Sequence, residues 1–270
     1  MTQPALFLAH GSPMNALHTN TYTEDWRQFI ANRHSPRAIV CISAHWETRG
    51  TFVTGNEQPP TIHDFRDFPD SLYKIRYACP GSPSLAAQIS HRSAGQIEVA
   101  HDWGLDHGSW SLLVHLFPKA RIPVLQISLD RDLSPQGLFE LGQSLSWLRD
   151  EGVLLIGSGN IVHNIQQWLH NPNGPFDWAR AFDTAIADAL QSGDNERLVN
   201  YRELSGAALS VPTPEHFHPL LVIAGARQPG DRLEMTHYTP FSIEQCSMRS
   251  LAFIPKTPEG SPDQPRLANK

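Results

Sequence analysis

Two runs of this chain, AIVCISA at 38–44 and VLLIG at 153–157, are apolar almost without a break. A strand with one wet face alternates apolar and polar residues, so a continuous run marks a strand buried on both faces. Such strands need helices above and below them. Further runs with strand character lie at 4–9 (PALFLA), 51–54 (TFVT), 122–128 (IPVLQIS) and 248–254 (MRSLAFI). Between them the sequence predicts a helix at 22–33 with Thr23 as its cap, and another at 82–94 opened by Ser82 and Pro83. It predicts three more at 111–117, at 134–152 from Pro135 to Gly152, and at 175–193, where apolar residues recur at helical spacing. This alternation predicts an α/β fold, a single domain over 1–254 with a central mixed, largely parallel sheet flanked by helices. The tail at 255–270, rich in proline and polar residues, is expected to be disordered.

The 270 residues include 21 basic and 27 acidic side chains, a net charge of −6, with no block of like charge. That speaks against nucleic acid and anionic membrane surfaces as partners. No apolar run approaches the ~20 residues of a membrane span, and no N-terminal segment has the layout of a secretory signal. The expectation is a cytoplasmic protein with no obligate protein partner. Cys41, Cys79 and Cys246 lie far apart and form no CxxC pair, against both a disulfide framework and a thiolate zinc site. Cys41, inside AIVCIS, reads as an inert core residue.

Histidine is the compositional anomaly, with 14 in the chain. Four stand beside glycine, proline or small residues at element ends: His10 in LAHGSPMN, His45 in ISAHWETRG, His163 in GSGNIVHN and His216 in TPEHFHPLL. Three of them follow apolar β-rich runs, so strands would deliver them to one rim, and imidazole is the commonest protein ligand of transition metals. Taken singly, each reads more readily as a structural histidine than as a ligand; the contexts raise the functional reading. The GSGN turn also reads as a phosphate cradle, but it lacks the GxGxxG or GxxxxGK[ST] spacing. In WGLDHGSW, His107 is bracketed by Trp103 and Trp110; this is either a turn with two core tryptophans or an aromatic pocket with an acid/base at its centre. The expected pocket residues are Trp46, Trp103, Trp110 and His63, the last beside Asp64 in PPTIHDF.

In this order the segments HGSPMN, SAHW, PPTIHDF, Tyr73 to Pro83, WGLDHGSW, GSGNIVHN and TPEHF resemble the class III extradiol ring-cleavage dioxygenases, in their 4,5-DOPA dioxygenase branch. The resemblance runs from about residue 4 to residue 254. It implies one non-haem divalent metal at the rim of an α/β core, with ligands matching His10, His45 and His216. The histidine matching His163 lies beside that metal, as a further ligand in zinc-bound forms and as the acid/base in ring-cleaving relatives. His107 matches a pocket histidine and is the second acid/base. The resemblance implies Fe(2+) for catalysis or Zn(2+) as found bound, with a small aromatic diol and O2 as substrates. In EHFHP the match falls on His216, while His218 stands where other members carry apolar residues. Glu215 resembles the carboxylate of two-histidine sites, but neighbours usually point apart, so His216 alone of the pair is expected at the metal. Two other functions stay open: a zinc-dependent hydrolase, although no HExxH is present, and a non-enzymatic binding protein like the Memo-type members of the same superfamily.

Overall fold

The computed structural model describes residues 1–31, 33–170, 176–236 and 246–256. From residue 257 onward the expected tail lies outside the described residues. The chain runs β1 (Ala5–Ala9), α1 (Thr21–Ile30), β2 (Ala38–Thr48), β3 (Thr51–Thr54), α2 (Pro83–Arg92), β4 (Ile97–Ala100) and α3 (His107–Leu116). It continues β5 (Val124–Asp130), α4 (Pro135–Leu145), β6 (Val153–Gly159), α5 (Asp177–Ser192), α6 (His218–Gly225), β7 (Arg232–Met235) and β8 (Leu251–Ile254), with short helical turns between.

The strands form one sheet in the order β4-β3-β5-β2-β6-β1-β8-β7. Strands β5, β2, β6 and β1 are mutually parallel. Antiparallel β8 and β7 extend one side; on the other, β3 is antiparallel to β5 and parallel to β4. This is the mixed, largely parallel sheet that the unbroken apolar runs predict. Alternate residues of the central strands enter two separate cores. Phe7, Val40, Ile42 and Leu155 pack with α2, α4, α5 and α6, while Leu6, Ile39, Cys41 and Ile156 pack with α1 and α3. No helix among the described residues is long and apolar enough to cross a membrane.

Several boundaries differ from expectation for identifiable reasons. Asn20, not Thr23, caps α1: its side chain accepts from Thr23 N, and the Thr23 hydroxyl accepts from Asn20 N. Helix α3 begins at His107, earlier than predicted, because the Asp106 carboxylate caps it through Ser109 N. The stretch 134–152 breaks at Ser146 into α4 and one further turn, Trp147–Asp150. Helix α6 (HPLLVIAG) is buried on all sides and so has no stripe to read. Strands β4 and β7 are short edges with charged residues and carry no apolar run.

The glycines of GSGN lie in β6 and serve close packing. A Cβ on Gly157 would stand 2.6 Å from Ile223 Cγ1, and one on Gly159 would stand 2.2 Å from the His216 carbonyl oxygen. Only glycine lets α6 and the turn before it settle on the end of β6. The carboxyl ends of the parallel strands thus share one edge, where open α/β sheets hold their ligands.

Candidate metal centre

His10 follows β1 directly. The alternation that buries Leu6 and Leu8 continues to His10, and that of Leu154 and Ile156 on β6 continues to Ser158. The two side chains meet, His10 Nδ1 lying 3.0 Å from Ser158 Oγ. The serine hydroxyl donates its one proton to the Gly108 carbonyl at 2.5 Å. Its oxygen can then only accept, so His10 is protonated at Nδ1 and keeps a lone pair at Nε2.

His45 lies in an irregular stretch of β2. Between the pairs Ile42↔Ile127 and Glu47↔Leu129, residues 43–46 oppose Ser128 alone. A bulge of this kind re-aims side chains, and here it brings His45 Nε2 to 3.2 Å from His10 Nε2. Asp64 Oδ2 lies 3.2 Å from His45 Nδ1 and 2.9 Å from His107 Nδ1. The His107 backbone N–H donates to Asp64 Oδ1 at 2.9 Å. The carboxylate therefore holds both rings in the Nδ1–H form.

His216 comes over the strand ends from the α6 side. Its carbonyl accepts from Asn160 N at 2.8 Å, and the Gly159 carbonyl accepts from His10 N at 3.2 Å. One peptide unit, Gly159–Asn160, therefore ties the backbones of His10 and His216. The Glu215 side chain lies against its neighbour's ring rather than apart from it. Its Oε1 is 3.0 Å from His216 Nδ1 and accepts from the Thr213 hydroxyl at 2.8 Å. The free nitrogen of His216 is again Nε2.

One ring nitrogen from each of His10, His45 and His216 lies within 4.8 Å of the others, and His218 is not in this group. Two nitrogens bound to one ion at about 2.0–2.2 Å stand about 3.0–3.5 Å apart, and the 3.2 Å between His10 and His45 fits that spacing. Each remaining N–H has a hydroxyl or carboxylate acceptor, as ligating histidines require. Burial, with the neighbouring histidines, pushes His10 and His216 well below the ordinary imidazole range and His45 to about 3. Burial also lowers His163, against the opposing pull of Glu215. All four are neutral at pH 7, the form that binds metal. Burial alone would raise Asp64, but its hydrogen bonds to His107 and the charges of His107 and His45 hold it at about 2.

The His163 ring lies flat on His216, with centroids 3.5 Å apart and planes 8° from parallel. The His163 backbone N–H donates to the Ser210 carbonyl at 2.9 Å. His107 is buried, its ring centroid 3.9 Å from that of His45. Trp46 and Trp103 stack at 5.6 Å and line a cleft of about 550 Å³ that none of these histidines lines. Trp110 is fully buried, its indole N–H donating to Ile62 O at 2.8 Å. His63 is not in the histidine cluster: its Nε2 lies 3.1 Å from the Ile75 carbonyl and near Arg76, and its ring packs against Phe65, Tyr73 and Trp110. The aromatic residue against His107 is Phe65, edge-on at 5.5 Å and itself in contact with Tyr73. Sequence reasoning gave no role to Phe65 or Asp64. The sequence set His63 beside Asp64 in PPTIHDF but carried no signal that the Asp64 carboxylate would reach His45 and His107.

Three convergent imidazole lone pairs at the carboxyl edge of an α/β sheet are the donor set of a mononuclear metalloenzyme. Residues 4–244 match the family described as the catalytic LigB subunit of aromatic ring-opening dioxygenase, and the chain belongs to that family. It is 48% identical to a 4,5-DOPA dioxygenase extradiol of Escherichia coli K12 over 83% of this chain and 84% of that one. A 4,5-DOPA dioxygenase extradiol of Beta vulgaris is 39% identical over 86% and 89% of the two chains. The crystal structure of an uncharacterized protein of Escherichia coli K12 superposes with a TM-score of 0.78 at 37% identity, covering 93% of this chain and 99% of that one. The chain is thus a metal-dependent, non-haem ring-opening dioxygenase of the extradiol type. These matches do not favour the hydrolase or the non-enzymatic reading.

Proposed function

We propose that residues 1–254 form one catalytic domain that opens the ring of a catechol, a DOPA-like diol, with O2 in the cytoplasm and without a protein partner. The observation that carries this reading is the convergence of His10, His45 and His216 with every Nδ1–H already committed to Ser158, Asp64 or Glu215. Their Nε2 atoms would hold Fe(2+) for catalysis; a neutral three-histidine shell also accepts Zn(2+). The metal, when bound, supplies the electron path between the diol and O2.

The chain's own residues do the rest. His163, neutral at pH 7 and stacked on His216, accepts the proton that a catechol hydroxyl must lose on binding. A ring nitrogen of His163 lies within 4.8 Å of a ring nitrogen of His216 and a carboxylate oxygen of Glu215, so it stands at the edge of the ion's site, and the His163→Ala variant separates base from further ligand. His107, with Nδ1 committed to Asp64, is the second acid/base, and Phe65 beside it offers an aromatic edge to a planar ring. The test is oxygen uptake by iron-loaded protein across a panel of catechols, followed by the absorbance of the ring-opened semialdehyde. One O2 consumed per semialdehyde formed is expected. An iron-loaded protein that consumes no O2 with any catechol would reject the reading.

A further inference from the structure

We propose that Asp64 is a positioning residue that aims two imidazoles with one carboxylate oxygen, His45 toward the metal and His107 toward the substrate. The inference rests on the metal and diol reading above. Asp64 Oδ2 receives both Nδ1 protons, at 3.2 Å from His45 and 2.9 Å from His107, and Oδ1 receives the His107 backbone N–H at 2.9 Å. Three donors therefore converge on a side chain only 16% exposed. The backbone bond fixes the carboxylate at the amino end of α3, where negative charge is favoured.

The consequence falls on the far side of each ring. With Nδ1 protonated, His45 directs Nε2 at His10. His107 has a free Nε2 lone pair, without a hydrogen-bond partner among the described residues, beside the three-histidine cluster. Ligand orientation and proton acceptance thus depend on one residue that touches neither the ion nor the diol. His45, Asp64 and His107 also bring ligand atoms within 4.8 Å of one another, the spacing of a second cation site. Both oxygens of Asp64 are already taken by N–H donors, which favours hydrogen bonding over a second ion.

An asparagine at this position cannot satisfy all three donors. Whichever way the amide turns, its NH2 faces either the two ring N–H groups or the backbone N–H of His107. The first measurement needs no variant and no substrate: long-range ¹H–¹⁵N spectra of zinc-loaded protein with labelled histidine. His45 and His107 should both read as Nδ1–H, and an Nε2–H form of His107 would overturn the proposal. Cobalt(II) titration follows. Asp64→Asn should weaken cobalt binding by about 10–100-fold, whereas His107→Ala should leave it within about twofold and lower kcat. At saturating metal, Asp64→Asn should cost little further kcat once His107 is alanine, since its effect on turnover passes through that ring. Unchanged cobalt affinity in Asp64→Asn, full additivity in the double variant, or two cobalt ions per wild-type chain would each refute it. Tautomers and cobalt affinity are read without a diol, so a wrong substrate assignment leaves these results standing.

Discussion

Replacing Gly159 by alanine tests how closely the α6 side must approach the strand edge. The added Cβ would stand 2.2 Å from the His216 carbonyl oxygen and 3.2 Å from its carbon. Ordinary contact begins near 3.4 Å, so the carbonyl must retreat by about 1.2 Å. That carbonyl is bonded to Asn160 N at 2.8 Å and belongs to a residue whose ring completes the cluster, so the retreat is passed to the imidazole. A misplacement of about 1 Å at a reacting centre costs on the order of 10²-fold in rate. Overpacking of this kind costs about 1–3 kcal/mol of stability, or roughly 2–12 °C in melting temperature for a chain of this size. The assay is three measurements on one preparation: metal content, catechol-dependent oxygen uptake and thermal melting. Gly137→Ala, in α4, is the control, because its nearest neighbour is the flexible Leu133 side chain at 3.2 Å. That variant should melt no lower than wild type, since alanine gains up to about 1 kcal/mol over glycine in a helix. A Gly159→Ala protein with full metal and wild-type turnover would refute the steric reasoning.

Three further outcomes are expected. His163→Ala should retain metal and lose turnover by about 10²–10⁴-fold, whereas His10→Ala or His45→Ala should lose metal and turnover together; loss of metal from His163→Ala would make it chiefly a ligand. Arg149 is fully buried, paired with Asp231 and donating to the carbonyls of Gln3, Ala226 and Phe253. Arg149→Met should cost about 3–5 kcal/mol in urea unfolding, with much of it recovered by adding Asp231→Leu; a loss under about 1 kcal/mol would show the pair to be dispensable. For metal-free protein, the melting temperature should fall as pH drops from about 6.5 toward 4. Folding holds His45 near 3 and His218 near 4, both lowered chiefly by burial, so the unfolded chain binds protons that the folded chain refuses. Asp64, held near 2, adds its own loss only below about pH 4. A profile flat across that window would contradict the buried neutral histidines.

The parts of this molecule legible in the sequence are those governed by local pattern. Unbroken apolar runs marked β2 and β6 because burial on both faces is written into composition. His10 and His45 stood out because they follow apolar strand runs beside glycine or small residues, where a sheet presents side chains; His216 stood out through the TPEHF segment before a helix, not through a strand end. The orientation of those rings was not legible. It depends on Ser158 giving its proton to Gly108, 50 residues away, and on Asp64 meeting His45 and His107 across a loop. Tryptophan spacing around His107 likewise could not say which indoles go inward. Trp110, on a helix face packed against the sheet, joins the core, while Trp103 stacks on Trp46 at a separate cleft. Helix α6 left no periodic trace because every side of it is covered.

The irregular stretch of β2 has a bearing on how this chain can change over time. In a regular strand a deletion of two residues restores the same facing pattern, so length can drift by pairs. Residues 43–46 face a single partner residue, and the position of His45 depends on that surplus. Removing one residue there would re-phase the side chains from His45 to Thr48, and removing two would keep their phase only by straightening the surplus that aims His45. The frame of this segment is therefore locked, whereas exposed loops such as 118–121 are free to lengthen or shorten. Inherited variation in length should collect in such loops and spare the four residues of the bulge.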